Sequence, residues 1–346
     1  MLESKHSLPI LLVGQGLAGT ILAHTLDQAS VPFLMVDAPK TFFTSSYAAG
    51  GIFNPVTGRK LEKTWLVEEL FGYLFPFYAS LEKTLDCSLF HPMPLFRPYA
   101  NEEMKSWLLE RKEAIHNEYL CWEDKGVWIE KAGWLDVESL LTYSKSYFQS
   151  KKIIKEIVIN PSIDLTVFDD EVHFQGQAYA CVVFCEGYHA QQHNPFFGHL
   201  NFLPAKGELM KIRSQEPSSD YILNKNGFLL PLGNHEFKVG ATYRWDDFSN
   251  QASTSAQLDL RAKLKTFGIN EYQEIEMSAG VRPATQDRRP LVGFHPHLPL
   301  AIFNGFGSKG VSLSPYFAQQ WLSEWKGERQ INSEASIRRF YHLFST

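Results

Sequence analysis

The chain has 346 residues, enough for one large lobe or two, and its 44% apolar and 21% charged residues are those of an ordinary globular protein. A net charge of −5 excludes a global basic field that would gather nucleic acid or an anionic membrane, though not a local patch. Four cysteines (Cys87, Cys121, Cys181, Cys185) exclude a disulfide scaffold; Cys181 and Cys185 stand in the apolar run CVVFC with no ligand pair beside them, so no metal site is expected.

Leu8 to Leu26 contains no Asp, Glu, Lys or Arg and superficially resembles a signal peptide or a membrane span. Three glycines, Gln15, His24 and the acid at Glu3 speak against both, and no other segment is long and apolar enough to span a bilayer. The expectation is a soluble, cytoplasmic protein.

Pro9 to Val13 predicts a strand buried on both faces, Leu17 to Gln28 a helix, and Val31 to Val36 a second strand ending at Asp37. Thr64 to Leu85 has helical spacing interrupted by Pro76, and 101–119 reads as an amphipathic helix with an Asn cap. GVWIEKAGWLDVESLLTYSKSYFQS gives strand, turn and a helix from near Asp136. From Ile153 to Phe184 short strands follow: IVI (157–159), LTVF, EVHF and CVVFC. Residues 203–213 and 227–243 continue as antiparallel sheet, and 254–267 as helix. The end holds two glycine-containing strand–turn segments and a helix from about Ser314 to Trp325.

VGQGLAG sets Gly14, Gly16 and Gly19 as G-x-G-x-x-G between a predicted strand and helix, with Asp37 23 residues after Gly14. The first glycine permits a tight turn, the second lets backbone approach a pyrophosphate, and the third brings helix against strand. The helix start, with Leu17 and Ala18, offers N–H groups and positive dipole to phosphate. Asp37 stands where an acid accepts from ribose hydroxyls, followed by Ala38. The pattern marks a dinucleotide site without separating FAD from NAD. A plain NAD dehydrogenase would continue with further βα units, whereas here SSYAAGGIFNPVTGR brings small residues that let backbone lie close to a flat ring system.

Over nearly its full length the chain resembles the D-amino-acid oxidase/glycine oxidase superfamily of FAD-dependent oxidoreductases. The resemblance rests on VGQGLAG with Asp37, SSYAAGGIFNP, GWLDVESLL, PAKGELMKI, CVVFCEGYHA, AGVRPATQDRRPLVG and FNGFGSKGVSLSP. It implies an α/β (mixed α+β) fold: a Rossmann-like FAD-binding domain (1–88, 135–200 and 280–346) interleaved with an antiparallel-sheet substrate domain (89–134 and 201–279). It further implies non-covalent FAD, since no cysteine lies in a matching attachment segment. Ser45, Ser46, Ala49, Gly50 and Gly51 would line flavin and diphosphate, and Ile157 or Val158 would meet the adenine. Gly187 would end a strand against the cofactor, although on sequence alone it reads equally as an ordinary turn.

In GFGSKG, the residues Gly305, Gly307, Ser308, Lys309, Gly310 and Val311 would converge on the flavin N1–C2=O edge, where reduction places negative charge. Lys309 would strengthen that stabilisation or meet the substrate carboxylate; without the resemblance it reads as an exposed surface lysine. Arg282 sits where relatives carry the arginine that grips a substrate carboxylate with a planar fork. Tyr243 matches an active-site tyrosine loosely, Arg244 and His235 less so, and Arg288 and Arg289 read as solvated or fold-stabilising.

The implied function is oxidation of the C–N bond of a small amino acid, or of a secondary amine bearing a carboxylate, by hydride transfer to flavin N5. The motifs also resemble the oxidoreductase half of a bifunctional tRNA-modifying enzyme, and tRNA wobble-uridine (carboxymethylaminomethyl) side-chain oxidation is one alternative. A non-catalytic flavin-binding subunit is another, and an NAD-binding protein a third. A small-molecule amine is the expected partner and nucleic acid is not; oligomeric state is left open.

Overall fold

Ile10–Val13 has four apolar side chains, all buried, and so takes a central place in a sheet covered on both faces. In the computed structural model, which describes residues 8–39, 44–115 and 118–344, it lies third in a six-stranded sheet. The order is Ile154–Glu156, Phe33–Asp37, Ile10–Val13, Cys181–Phe184, Leu300–Asn304, Leu291–Phe294. The first five strands are parallel and the last is antiparallel to its neighbour. The segment Leu8 to Leu26 is thus a core strand, a turn and a helix, and among the described residues no helix is long and apolar enough to cross a membrane.

A second sheet has eight strands, in the order Gln273–Arg282, Ala205–Arg213, Glu236–Gly240, Phe228–Gly233, Ile222–Asn224, Leu95–Pro98, Gly126–Ile129, Leu120–Trp122. It is antiparallel except where Ile222–Asn224 runs parallel to Leu95–Pro98. Its strands, within 95–129 and 205–282, lie in the chain between segments of the first sheet, so the polypeptide crosses repeatedly between the two. The eight-stranded sheet meets the loop 44–51 where glycine removes a side chain. A Cβ on Gly280 would stand 2.6 Å from Ser45 Cα, and one on Gly50 would stand 2.8 Å from the Phe228 ring.

Four elements depart from the sequence expectations. The run IVI is no strand: sheet pairing belongs to Ile154–Glu156, one turn of sequence earlier, and leaves Val158 outside it and 65% exposed. The helix expected over 101–119, of which 116 and 117 lie outside the described residues, ends at Glu110. Asn101 caps it as expected, accepting from the Met104 N–H at 2.8 Å, but the side chains from Leu109 to Ala114 are exposed. Pro76 does not interrupt its helix, which runs unbroken over Val67–Leu85 with buried side chains on both sides of the proline.

The last helix begins at Gly310, four residues before the expected start, and carries Pro315 inside it. Proline removes the N–H that would reach the carbonyl of Val311. That carbonyl instead accepts a 3.0 Å hydrogen bond from the buried hydroxyl of Tyr78, on the helix Val67–Leu85. Replacing Tyr78 by Phe keeps the ring and leaves the carbonyl unpaired, so denaturant unfolding is expected to show a loss of about 1–3 kcal/mol. An unchanged midpoint would show that water satisfies Val311.

Candidate active site

The carboxyl ends of Ile10–Val13, Phe33–Asp37, Cys181–Phe184 and Leu300–Asn304 all open into one cleft. After the first strand the chain turns at Gly14, whose φ of +105° only glycine adopts without strain and whose Cβ would lie 2.7 Å from the Cys185 carbonyl oxygen. Gly19 packs on that turn: its Cβ would stand 1.9 Å from the Gly14 oxygen. Gly19 therefore lies behind the cleft wall, while Gly14, Gly16, Leu17 and Ala18 line it. Asp37 accepts the Gln15 N–H at 2.9 Å, and burial raises its pKa above the ordinary carboxylate value. Asp37 thus fastens the turn as well as facing the cleft, with Ala38 beside it.

A second helix start adjoins the first. Gly310 packs on Leu17, where a Cβ would come within 3.0 Å of Leu17 Cδ2, and the helices Leu17–Gln28 and Gly310–Trp325 lie against each other. Both positive ends point at the same volume. The Leu17 N–H is already taken, by Ser46 Oγ at 3.0 Å, so Ser46 braces the helix start. Before the second helix, Gly305 turns with φ +77° and Gly307 with φ +56°; Gly305 is buried behind the wall, whereas Gly307, Ser308, Gly310 and Val311 line it.

Lys309 is absent from the lining. It is half-buried, and its ammonium donates to Thr64 Oγ1 at 2.8 Å. Burial, then the nearby charges of Arg289 and Arg288, bring its pKa down to about 8. It is not an exposed surface lysine. Arg289 is fold-stabilising, pairing with Glu334 and covering the Trp65 ring at 4.2 Å.

Gly50 and Gly51 line the cleft with Ser45, Ser46 and Ala49, but their missing side chains have a structural cause. At Gly50 the neighbouring flat ring is that of Phe228, and at Gly51 a Cβ would lie 2.0 Å from the Leu135 oxygen. Gly187 has φ +59° with open space where a Cβ would go, and its carbonyl accepts from Asn304 Nδ2 at 2.9 Å. Val158 lines the far end of the cleft with Ile157.

Opposite the helix starts, Arg282 ends its strand and reaches back over Gly207 on the neighbouring strand. A Cβ on Gly207 would stand 2.0 Å from Arg282 Nη2. The guanidinium is 4.2 Å from the Tyr243 ring, burial lowers its pKa, and its Nη1 is buried without a hydrogen-bond partner among the described residues. A buried cation with an unfilled donor is costly, and a carboxylate entering the cleft would satisfy it.

Sequence reading missed Gly207, although a glycine inside a predicted strand is a signal for close approach. It also missed Glu186, a cleft-lining carboxyl held by Asn194 Nδ2 at 2.7 Å, whose pKa burial pushes up to about 7. Arg244 lines the cleft too and bonds Ser255 Oγ at 2.8 Å; His235 sits in the turn after Gly233. Among the described residues no group of three or more His, Cys, Asp and Glu side chains could hold a metal.

The cleft measures ≈2720 Å³, several times an ordinary small-ligand pocket. Two helix starts, a glycine turn pressed to backbone and a ribose-height acid fit an extended dinucleotide, with space left beside Arg282 for a small anion.

A family model described as DAO, FAD dependent oxidoreductase, matches residues 10–325. Glycine oxidase of Bacillus subtilis (strain 168) is 28% identical over 118 residues, 33% of this chain and 32% of that protein. The tRNA 5-methylaminomethyl-2-thiouridine biosynthesis bifunctional protein MnmC of Haemophilus ducreyi is 24% identical over 276 residues, 66% of this chain and 40% of that protein. The chain therefore spans about a third of the length of the curated glycine oxidases it matches. Iminodiacetate oxidase from Chelativorans sp. BNC1 shares the fold, with a TM-score of 0.75 at 17% identity over 96% of this chain and 98% of that one. So does glycine oxidase from Geobacillus kaustophilus, with a TM-score of 0.75 at 17% identity over 94% and 96%.

Two predictions follow from this geometry. Gly207→Ala must displace the guanidinium, so a loss of about 1–3 kcal/mol in stability is expected together with loss of any carboxylate binding measured by calorimetry; retention of both would show that Arg282 swings freely. Lys309 releases its proton near pH 8 in the folded chain and near the ordinary ~10.4 when unfolded. In that window the unfolded chain binds more protons, so stability rises with pH. Lys309→Met lacks this gain, and its stability advantage over the wild type at pH 7 is expected to shrink by pH 10; a constant difference would mean a solvated amine.

Proposed function

Because this chain belongs to the DAO family of FAD-dependent oxidoreductases, we propose that it oxidises the C–N bond of a small amino acid or a secondary amine carrying a carboxylate. The observation that carries this reading is Arg282, which lines the cleft and keeps a buried Nη1 without a hydrogen-bond partner among the described residues. We place the non-covalent FAD along Gly14–Ala18, Asp37–Ala38, Ser45–Gly51, Val158, Gly187 and Gly307–Val311, with Gly19 and Gly305 shaping the wall behind it. In this reading the segments 1–88, 135–200 and 280–346 hold the cofactor, and 89–134 and 201–279 cover the substrate.

FAD supplies a two-electron acceptor when bound. The protein's own task is then positioning. Arg282 takes the carboxylate with a planar fork, the Tyr243 ring covers the guanidinium and keeps water from its outer face, and the substrate α-carbon is fixed over the cofactor. Loss of the α-C–H and one N–H as two electrons and two protons leaves an imine, which water hydrolyses. The amine reacts in its neutral form, so no acid–base pair is needed at the α-carbon. Lys309, the residue at which the helix Gly310–Trp325 starts, holds its ammonium on Thr64 Oγ1 and would add positive charge near a reduced cofactor.

The match to the bifunctional tRNA protein covers more of this chain than the glycine oxidase matches do, and it supports a second reading, oxidation of a tRNA-borne amine. That activity would fall steeply with salt. The primary reading is tested by anaerobic mixing with glycine, sarcosine, proline and D-amino acids, where one of them is expected to bleach the flavin. With that substrate, Arg282→Ala is expected to raise KM by about a hundredfold or more while flavin content stays unchanged, and Arg282→Lys to recover part of the loss. Flavin loss, or unchanged turnover, would remove Arg282 from the carboxylate site.

A further inference from the structure

Tyr243 and Trp245 line the cleft beside Arg282 and are 52% and 62% exposed, with ring centroids 6.1 Å apart. Single exposed aromatics are common on protein surfaces and need no explanation. These two differ because the segment bearing them is fixed from within. Lys206, with no exposed surface, donates to Asp247, to Ser249 Oγ at 3.0 Å and to the Gln251 carbonyl at 2.6 Å. Glu208, equally buried, accepts from Thr242 Oγ1 at 3.0 Å and from the Ser253 N–H at 2.7 Å. Lys206 and Arg244 also exchange backbone hydrogen bonds of 2.9 and 3.1 Å.

Two charged side chains are thus sunk into the strand Ala205–Arg213 to pin residues 242–253 at five points, with the backbone pair at Arg244 as a sixth. Such ordering is expensive, since each buried ion must be desolvated. It holds an aromatic face rigid at the cleft mouth in water, where an aromatic pair gains most from a partner that covers it. The face begins on the Arg282 guanidinium, 4.2 Å from the Tyr243 ring, and runs outward to Trp245.

We propose that Tyr243 and Trp245 form a stacking platform for a planar group on the substrate, so that the preferred amine bears a carboxylate at one end and a flat ring at the other. This rests on the carboxylate reading of Arg282 given above. Trp245 is then a specificity residue: it touches the ring and leaves the reacting atoms alone. Glycine and sarcosine would reach Arg282 without using it. Lys206 and Glu208 are positioning residues acting through the loop.

The test uses the flavin-loaded protein and two ligand pairs. For turnover, N-benzylglycine is compared with sarcosine. Trp245→Ala is expected to raise KM for N-benzylglycine at least about tenfold with kcat little changed, and KM for sarcosine less than twofold; equal effects on both would overturn the platform. For binding without turnover, phenylacetate is compared with acetate by calorimetry. Wild type is expected to bind phenylacetate at least about tenfold more tightly, and Trp245→Ala to lose that preference while Trp245→Phe keeps most of it. Absence of any preference in the wild type would overturn the platform. If neither amine, nor glycine, proline or any of the D-amino acids, reduces the flavin but the phenylacetate preference and its loss are seen, the platform stands and the oxidation reading falls.

Discussion

Everything in this protein hangs on two helices starting side by side at the carboxyl edge of one parallel sheet. The arrangement is possible only because side chains are missing at three places. Gly14 turns tightly under Cys185, Gly19 lies on Gly14, and Gly310 meets Leu17. Add a methyl group at Gly19 and the first helix must lift from its strand, taking its N–H groups away from the cleft. The second helix depends on a separate repair, since Pro315 strips a partner from Val311 and Tyr78 returns one from across the core. Two positive helix ends held this close repel each other, and a bound anion is what relieves them.

The eight-stranded sheet completes the cleft from the other side, and its charges fall into two kinds. Lys206 and Glu208 are buried and fully engaged, and they fix a loop. Arg282 is buried and incompletely engaged. Arg244 Nε is likewise buried and unpartnered, but that guanidinium is anchored on Ser255 Oγ, whereas the Arg282 guanidinium lies against the Tyr243 ring in the cleft lining. Gly207 shows that the guanidinium's place is built rather than incidental, since the strand beneath gives up a side chain to receive it.

The local features were legible in the sequence. The strand, turn and helix from Ile10 to Gln28 follow from glycine spacing and an unbroken apolar run, both readable within twenty residues. The Asn101 cap and the helix start near Asp136 were equally plain. What failed was long-range. IVI is a better strand by composition than IKE, but Phe33–Asp37 ends level with Glu156, so of IVI Ile157 alone reaches it, donating its N–H to the Asp37 carbonyl at 2.8 Å, and pairing decides. Lys309 could not be placed because its partner, Thr64, lies 245 residues away. The Gly207–Arg282 contact was hidden for the same reason, while the roles of Gly50 and Gly51 were read toward a ligand when Phe228 and Leu135 already require them. Family resemblance supplied Arg282 as a position; its empty Nη1 needed the structure.

The central claim is that a carboxylate binds between Arg282 and a flavin. It is tested most directly by titrating the visible absorption of the purified, flavin-loaded protein with acetate and, separately, with acetamide. Acetate is expected to perturb the flavin band saturably, with the effect lost in Arg282→Met, and acetamide, of the same shape but uncharged, to leave it unmoved. A protein without flavin absorption, or one that responds equally to both ligands, would contradict the account.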